Sequence, residues 1–84
     1  MKTPENWIIE NDQLTRTLEL KNFVEAVDFV KKLVPIAEEA QHHPDIEIFA
    51  YKKVKIKLMS HDVGEITDRD VDMAEKINKV GSIE

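Results

Sequence analysis

His42, His43 and His61 are the three histidines of this chain: two are adjacent, and the third follows His43 by eighteen residues. Imidazole, with an ordinary pKa of about 6.5, takes up and releases protons near neutral pH. Two carboxylates flank the group, Glu38 four residues before His42 and Asp70 nine residues after His61. Carboxylates beside imidazoles are the usual parts of a general acid/base site, because a carboxylate on one ring nitrogen fixes the tautomer at the other. The i, i+4 spacing predicts that Glu38 shares a helix face with His42 and hydrogen-bonds its ring.

Each of these residues also has an ordinary structural use. A histidine at a helix C-terminus meets the dipole and the free carbonyls. Asp70 stands three residues after Thr67, where a carboxylate closes a helix cap without any chemistry. Three histidines with nearby carboxylates are also a donor set for zinc. The helical i, i+4 histidine pair is missing, however, and contiguous histidines rarely share one ion, so no metal is expected.

The elements that must position these residues are legible from periodicity. Trp7-Ile8-Ile9-Glu10 is rich in strand formers, with Trp7 expected as a core anchor, and Asn11-Asp12 supplies turn chemistry. Leu14, Arg16, Leu18 and Leu20 then alternate with Thr15, Thr17 and Glu19, the pattern of a half-buried strand paired with the first. Asn22 caps a helix predicted over about 23 to 41, with Glu25 completing a capping box. Phe23, Ala26, Val27, Val30, Leu33, Val34 and Ala37 mark its apolar face, and Pro35 within it is expected to kink the one helix.

Pro44 and Asp45 end this helix at the histidine pair. Ile46 to Tyr51 and Val54 to Ser60 are expected as a second hairpin turning at Lys52-Lys53, with His61 at its far end. Lys53, Lys55 and Lys57 form a solvated strand face that also discourages edge-to-edge aggregation. Thr67 caps a last helix with Val71, Ala74 and Ile77 on its buried face and Gly81 as its C-terminal cap. The order ββαββα predicts an α+β fold, a four-stranded antiparallel sheet with two helices on one face.

Eighty-four residues make one domain, residues 1–84, with a thin core and no cysteine to reinforce it. Homo-oligomerisation is the expected supplement. Seventeen acidic against twelve basic residues give a net charge of −5, which lacks the footprint of a nucleic-acid binder. No apolar run approaches the roughly 20 residues that span a bilayer, and the N-terminus has no signal-peptide core, so a cytoplasmic protein without membrane association is expected.

Glu38-x-x-x-His42-His43-Pro44-Asp45, Tyr51-x-x-Val54, His61 and Ile66-Thr67-x-x-Asp70 together resemble the signature of the pterin-4a-carbinolamine dehydratases. That family includes the dimerisation cofactor of a homeodomain transcription factor. The likeness runs upstream through Asn22-Phe23-x-x-Ala26, Leu14-x-Arg16-x-Leu18-x-Leu20 and Trp7, and so covers nearly the whole chain. It implies cofactor-free dehydration of a 4a-hydroxytetrahydropterin to the quinonoid dihydropterin, in tetrahydrobiopterin recycling. The alternative it carries is a non-catalytic pterin-binding or dimerisation scaffold of the same fold.

The resemblance also assigns roles. His61 and His42 transfer protons at the 4a-hydroxyl and N5, and His43 and Pro44 orient the pterin ring, His43 sharing the acid role. Ser60, Asp62 and Val63 bracket His61 and offer backbone groups to the ring's amide-like edge. Glu38 orients His42, and Asp70 supports His61 or its loop. A homodimer or homotetramer is implied. Three departures stand out: only six residues precede Trp7, where members often carry another helix; Val63-Gly64-Glu65 replaces a loop ending Gly-Gly; and the Pro44–Tyr51 stretch is one residue longer, which predicts a bulge.

Overall fold

The computed structural model describes residues 3–81 and runs β1 (Ile8–Glu10), β2 (Gln13–Glu19), α1 (Phe23–Ala40), β3 (Asp45–Phe49), β4 (Lys53–Leu58), α2 (Asp68–Gly81). The strands form one antiparallel sheet in the order β1-β2-β4-β3. Asn11 and Asp12, with φ of 52° and 62°, close the first hairpin between the paired Glu10 and Gln13. Both side chains tolerate the left-handed region that a two-residue hairpin turn demands. The order ββαββα is therefore the one that the hydrophobic pattern predicts.

Alternation decides which face of the sheet the helices cover. Leu14 of β2 and Val54, Ile56 and Leu58 of β4 are buried beneath α1 and α2. Lys53, Lys55 and Lys57 point to the open face, where Glu47 stands opposite Lys55 and Asp45 opposite Lys57. Opposite charges across a ladder are favourable neighbours, and the stripe is a paired strand face. Among the described residues no helix is long and apolar enough to cross a membrane.

The second hairpin differs from its expected bounds. Its strands are Asp45–Phe49 and Lys53–Leu58, and the turn is Ala50-Tyr51-Lys52 rather than Lys52-Lys53. Ala50 and Tyr51 both take positive φ, 48° and 52°, and the Leu20 N–H bonds the Lys52 carbonyl at 2.8 Å. The register from Asp45↔Lys57 to Phe49↔Lys53 is unbroken. No bulge interrupts β3 against β4, so the bulge expected between Pro44 and Tyr51 is not formed there.

α1 runs through Pro35, whose side faces solvent. The Asn22 side chain accepts from the Glu25 N–H at 2.9 Å, as expected of the cap. Its buried residues are Ala26, Phe29, Leu33 and Ala37, whereas Phe23 and Val34 are more than half exposed. The stripe is thus rotated toward Phe29, away from the two ends of the expected face. In α2, Met73, Ala74 and Ile77 are buried with Val71 partly so. Gly81 is the last residue of α2, and the chain that its cap would turn lies outside the described residues.

A polar hub ties the N-terminal segment to this core. Trp7 is buried and donates its Nε1–H to Asn78 Oδ1 at 2.9 Å, while Arg16 Nη1 donates to the same oxygen at 2.6 Å. Asn78 Nδ2 in turn donates to the Glu5 carbonyl. Partial burial lowers the Arg16 pKa, and the shared oxygen supplies the partner that its guanidinium needs.

Candidate active site

The site begins where α1 stops. Gln41 takes the left-handed conformation, φ 53°, and the chain reverses. The His42 N–H then bonds the Ala37 carbonyl at 3.1 Å and the Gln41 N–H the Glu38 carbonyl at 3.3 Å. This pair of bonds is the Schellman ending, here with glutamine at the position usually held by glycine. It turns the His42 ring inward, where only 8% of the residue is exposed, and leaves His43 outside.

That reversal corrects the expected partners. His42 lies beyond the helix, so the i, i+4 neighbourhood with Glu38 does not exist. Glu38 instead meets His43, Oε2 to Nε2 at 2.7 Å, in an exposed pair. The carboxylate on His42 is Asp70, Oδ1 to Nε2 at 2.5 Å, and Asp70 is fully buried. Asp70, expected to support His61 or its loop, makes no hydrogen bond with His61 but holds the two residues that flank the loop, and its other oxygen is on His42.

Those two residues are Ser60 and Thr67. Asp70 Oδ2 accepts the Ser60 hydroxyl at 2.8 Å and the Thr67 N–H at 2.9 Å. The Thr67 bond is the backward half of a capping box, and the Arg69 N–H reaches Thr67 Oγ1 at 3.3 Å. A carboxylate in the first turn also suits the positive end of α2. One buried side chain thus starts a helix and grips a histidine.

Ser60 sits just past β4 and opens the tight loop that carries His61. Its N–H bonds the Glu65 carbonyl at 3.1 Å, and its own carbonyl accepts from Val63 and Gly64 at 3.2 and 2.9 Å. Gly64 takes φ +70°, a conformation open to glycine without strain. Ser60 is fully buried, so its hydroxyl, N–H and carbonyl are all spent inside the fold. The expectation that Ser60 offers groups to a ligand is not met, and the Val63 N–H is used within the loop as well.

His61 is exposed and makes no hydrogen bond among the described residues, and the Val63 side chain beside it is exposed too. Asp62 pairs with Arg69 at 2.7 Å across the loop. The hydrogen bond from Arg69, with its charge, holds the Asp62 carboxyl below the usual carboxylate range. His42 and His43 face different depressions. His42 shares one of about 120 Å³ with Ala40, Arg69, Asp72, Met73 and Lys76. His43 and Pro44 border another of about 150 Å³, floored by Leu33, Val34, Ala37 and Ile46. A larger depression at Leu20, Glu25, Asp28, Phe29 and Lys32 is lined by none of the histidines.

Among the described residues, no three histidine, aspartate or glutamate side chains converge as a metal-holding group. The arrangement can move protons: a buried carboxylate orients one imidazole, and a second imidazole stands free on an adjoining loop. Arg69 and Asn78 escaped the sequence reading. Asn78 had a signal, a polar residue four positions after Ala74 on the apolar stripe of α2. Arg69 had none beyond its place in the Thr67–Asp70 cap.

Similarity to known proteins identifies the family. Residues 1–80 match the sequence profile described as pterin 4 alpha carbinolamine dehydratase. A Sulfolobus acidocaldarius protein provisionally named a pterin-4-alpha-carbinolamine dehydratase is 45% identical over 76 residues, covering 90% of this chain and 82% of its own length. One from Trichormus variabilis, named likewise, is 49% identical over 74 residues, covering 88% and 78%. A crystal structure described as a transcriptional coactivator/pterin dehydratase from Brucella melitensis superposes with a TM-score of 0.83 at 29% identity, over 90% of this chain and 82% of that one. A pterin dehydratase-like protein described as a RuBisCO assembly factor of the alpha-carboxysome shares the fold, with a TM-score of 0.73 at 18% identity over 94% and 93% of the two chains. The chain belongs to the pterin-4a-carbinolamine dehydratase family.

Proposed function

We propose that this protein dehydrates a 4a-hydroxytetrahydropterin to the quinonoid dihydropterin and water by histidine acid/base catalysis, in tetrahydrobiopterin recycling. The observation that carries the reading is the buried Asp70 carboxylate on His42 Nε2. With that nitrogen committed, Nδ1 is the one left for a substrate, and the negative charge behind the ring suits it to accept a proton. In the reaction the C4a–O bond breaks as an acid protonates the departing hydroxyl. N5 gives its proton to a base, and its electron pair forms the C=N bond.

His42 and His61 are the proton-transfer pair in this reading. His61 follows Ser60, whose hydroxyl is on the same carboxylate as His42, so one buried group links the two segments. His43 and Pro44, on the rim of an apolar depression, fit a flat ring, and Glu38 steadies His43. Among the loop residues, His61 and Asp62 retain backbone groups for the ring's edge. Self-association into a dimer or tetramer is part of the proposal, supported by Ile8 and Ile9, each more than half exposed on the edge strand β1. So is a cytoplasmic location.

The same fold carries a RuBisCO assembly factor, so architecture alone does not decide activity. Turnover of a 4a-hydroxytetrahydropterin by the wild type, with loss in His42→Ala and His61→Ala, supports catalysis. Tight pterin binding without turnover supports a scaffold.

A further inference from the structure

The hydroxyl of Ser60 has two neighbours, Asp70 Oδ2 at 2.8 Å and Thr67 Oγ1 at 2.7 Å, and no access to solvent. The direction of each bond follows from the groups around it. Ser60 Oγ donates its single proton to Asp70 Oδ2, so the proton between the two hydroxyls comes from Thr67 Oγ1, which also accepts from the Arg69 N–H. The Thr67 N–H donates to the same carboxylate oxygen. The Ser60 hydroxyl and the Thr67 N–H both end on Asp70 Oδ2, and the other carboxylate oxygen, Oδ1, faces His42. A carboxylate only accepts, so the hydrogen of this pair sits on His42 Nε2, and Nδ1 is the ring nitrogen left for a substrate.

We infer that Ser60 is a positioning residue: its buried hydroxyl aims the Asp70 carboxylate, holds His42 in the Nε2–H tautomer, and keeps the start of the His61 loop in register with that ring. This deepens the dehydratase reading and rests on it for the kinetic part alone. Removing the hydroxyl leaves Oδ2 with one donor and frees the carboxylate to rotate about its bond. The Nε2–H preference of His42 then weakens, and the His61 loop loses its tie to Asp70. Thr67 is the second link, because its hydroxyl donates to Ser60 Oγ.

The test is ¹⁵N NMR of histidine-labelled full-length protein, paired with steady-state turnover of a 4a-hydroxytetrahydropterin. In the wild type and in Ser60→Thr, which keeps the hydroxyl, the His42 ring shows a single Nε2–H tautomer. In Ser60→Ala the ring nitrogens show mixed tautomers, and kcat falls about tenfold, the worth of one hydrogen bond to a charged group, while KM stays within about twofold. Thr67→Val keeps the backbone donor to Asp70 but not the hydroxyl. It shows the same mixing to a lesser degree and serves where Ser60→Ala does not fold.

A folded Ser60→Ala, or in its place a folded Thr67→Val, with an unchanged single tautomer overturns the inference. So does mixing in Ser60→Thr equal to that in Ser60→Ala. Where the wild type turns over no pterin, the dehydratase reading fails, and the tautomer readout still decides the role of Ser60.

Discussion

His42 Nε2 lies 2.5 Å from Asp70 Oδ1, so the segment that leaves α1 is held by the first turn of α2. The contact spans 28 residues of sequence and is buried, whereas the neighbouring His43–Glu38 pair lies in solvent. Two histidine–carboxylate pairs of similar length therefore differ in what they contribute.

The contrast gives a paired substitution. Asp70→Asn strands the Thr67 N–H, the Ser60 hydroxyl and the His42 ring around an amide with one acceptor oxygen. It is expected to cost about 1–3 kcal/mol of stability, the penalty of unsatisfied buried groups. Turnover is expected to drop by about 10²-fold or more, as for loss of an oriented acid/base group. Glu38→Gln, on an exposed pair, is expected to change stability by less than about 1 kcal/mol. Urea unfolding and initial rates on both variants check this.

Asn78 makes a second, part-buried dependence. Asn78→Ala leaves the Trp7 Nε1–H and the Arg16 guanidinium without their shared acceptor, at an expected cost of about 1–3 kcal/mol. Trp7 is the single tryptophan, so its emission reports the site directly and is expected to shift to the red as the ring gains water.

The elements were legible in the sequence because alternation and helical period mark them whatever the tertiary contacts. The element order, the Asn11-Asp12 turn and the Asn22 cap rest on such local rules. The partners of the histidines were not legible. Glu38 and His42 keep i, i+4 spacing on paper, but one residue in the left-handed region, Gln41, ends the helix between them. Asp70 read as a cap, and it is one; its other oxygen reaching His42 depends on how α1 packs against α2, which no local pattern encodes. Ser60 read as a strand-end residue beside a ligand site, and burial makes it an internal brace.

Gln41 offers a test of that helix ending. Glycine adopts its conformation without the steric cost that a Cβ carries there. Gln41→Gly is expected to stabilise the fold by about 0.5–1 kcal/mol, despite loss of the exposed Gln41 Nε2 bond to the Glu38 carbonyl. Thermal and chemical unfolding measure it.

Asp62 and Arg69 set a pH dependence. Arg69 lowers the Asp62 pKa from its ordinary 3.8, so the pair stabilises the fold above that value, and its contribution is lost as pH falls through the lower folded value. The stability difference between wild type and Asp62→Asn is therefore expected to be constant from pH 5 to 8, within about the neutral range, and to shrink only in stronger acid. Urea midpoints of the two proteins across pH check the sign. Any change in turnover between pH 5 and 8 then does not come from this pair.

The most direct measurement is turnover of a 4a-hydroxytetrahydropterin by wild type, His42→Ala and His61→Ala, each shown folded by circular dichroism. Acid/base catalysis by this pair predicts clear acceleration over the uncatalysed dehydration by the wild type and a loss of about 10²-fold or more in each variant. Equal turnover in all three proteins, or pterin binding with no acceleration by the wild type, contradicts it.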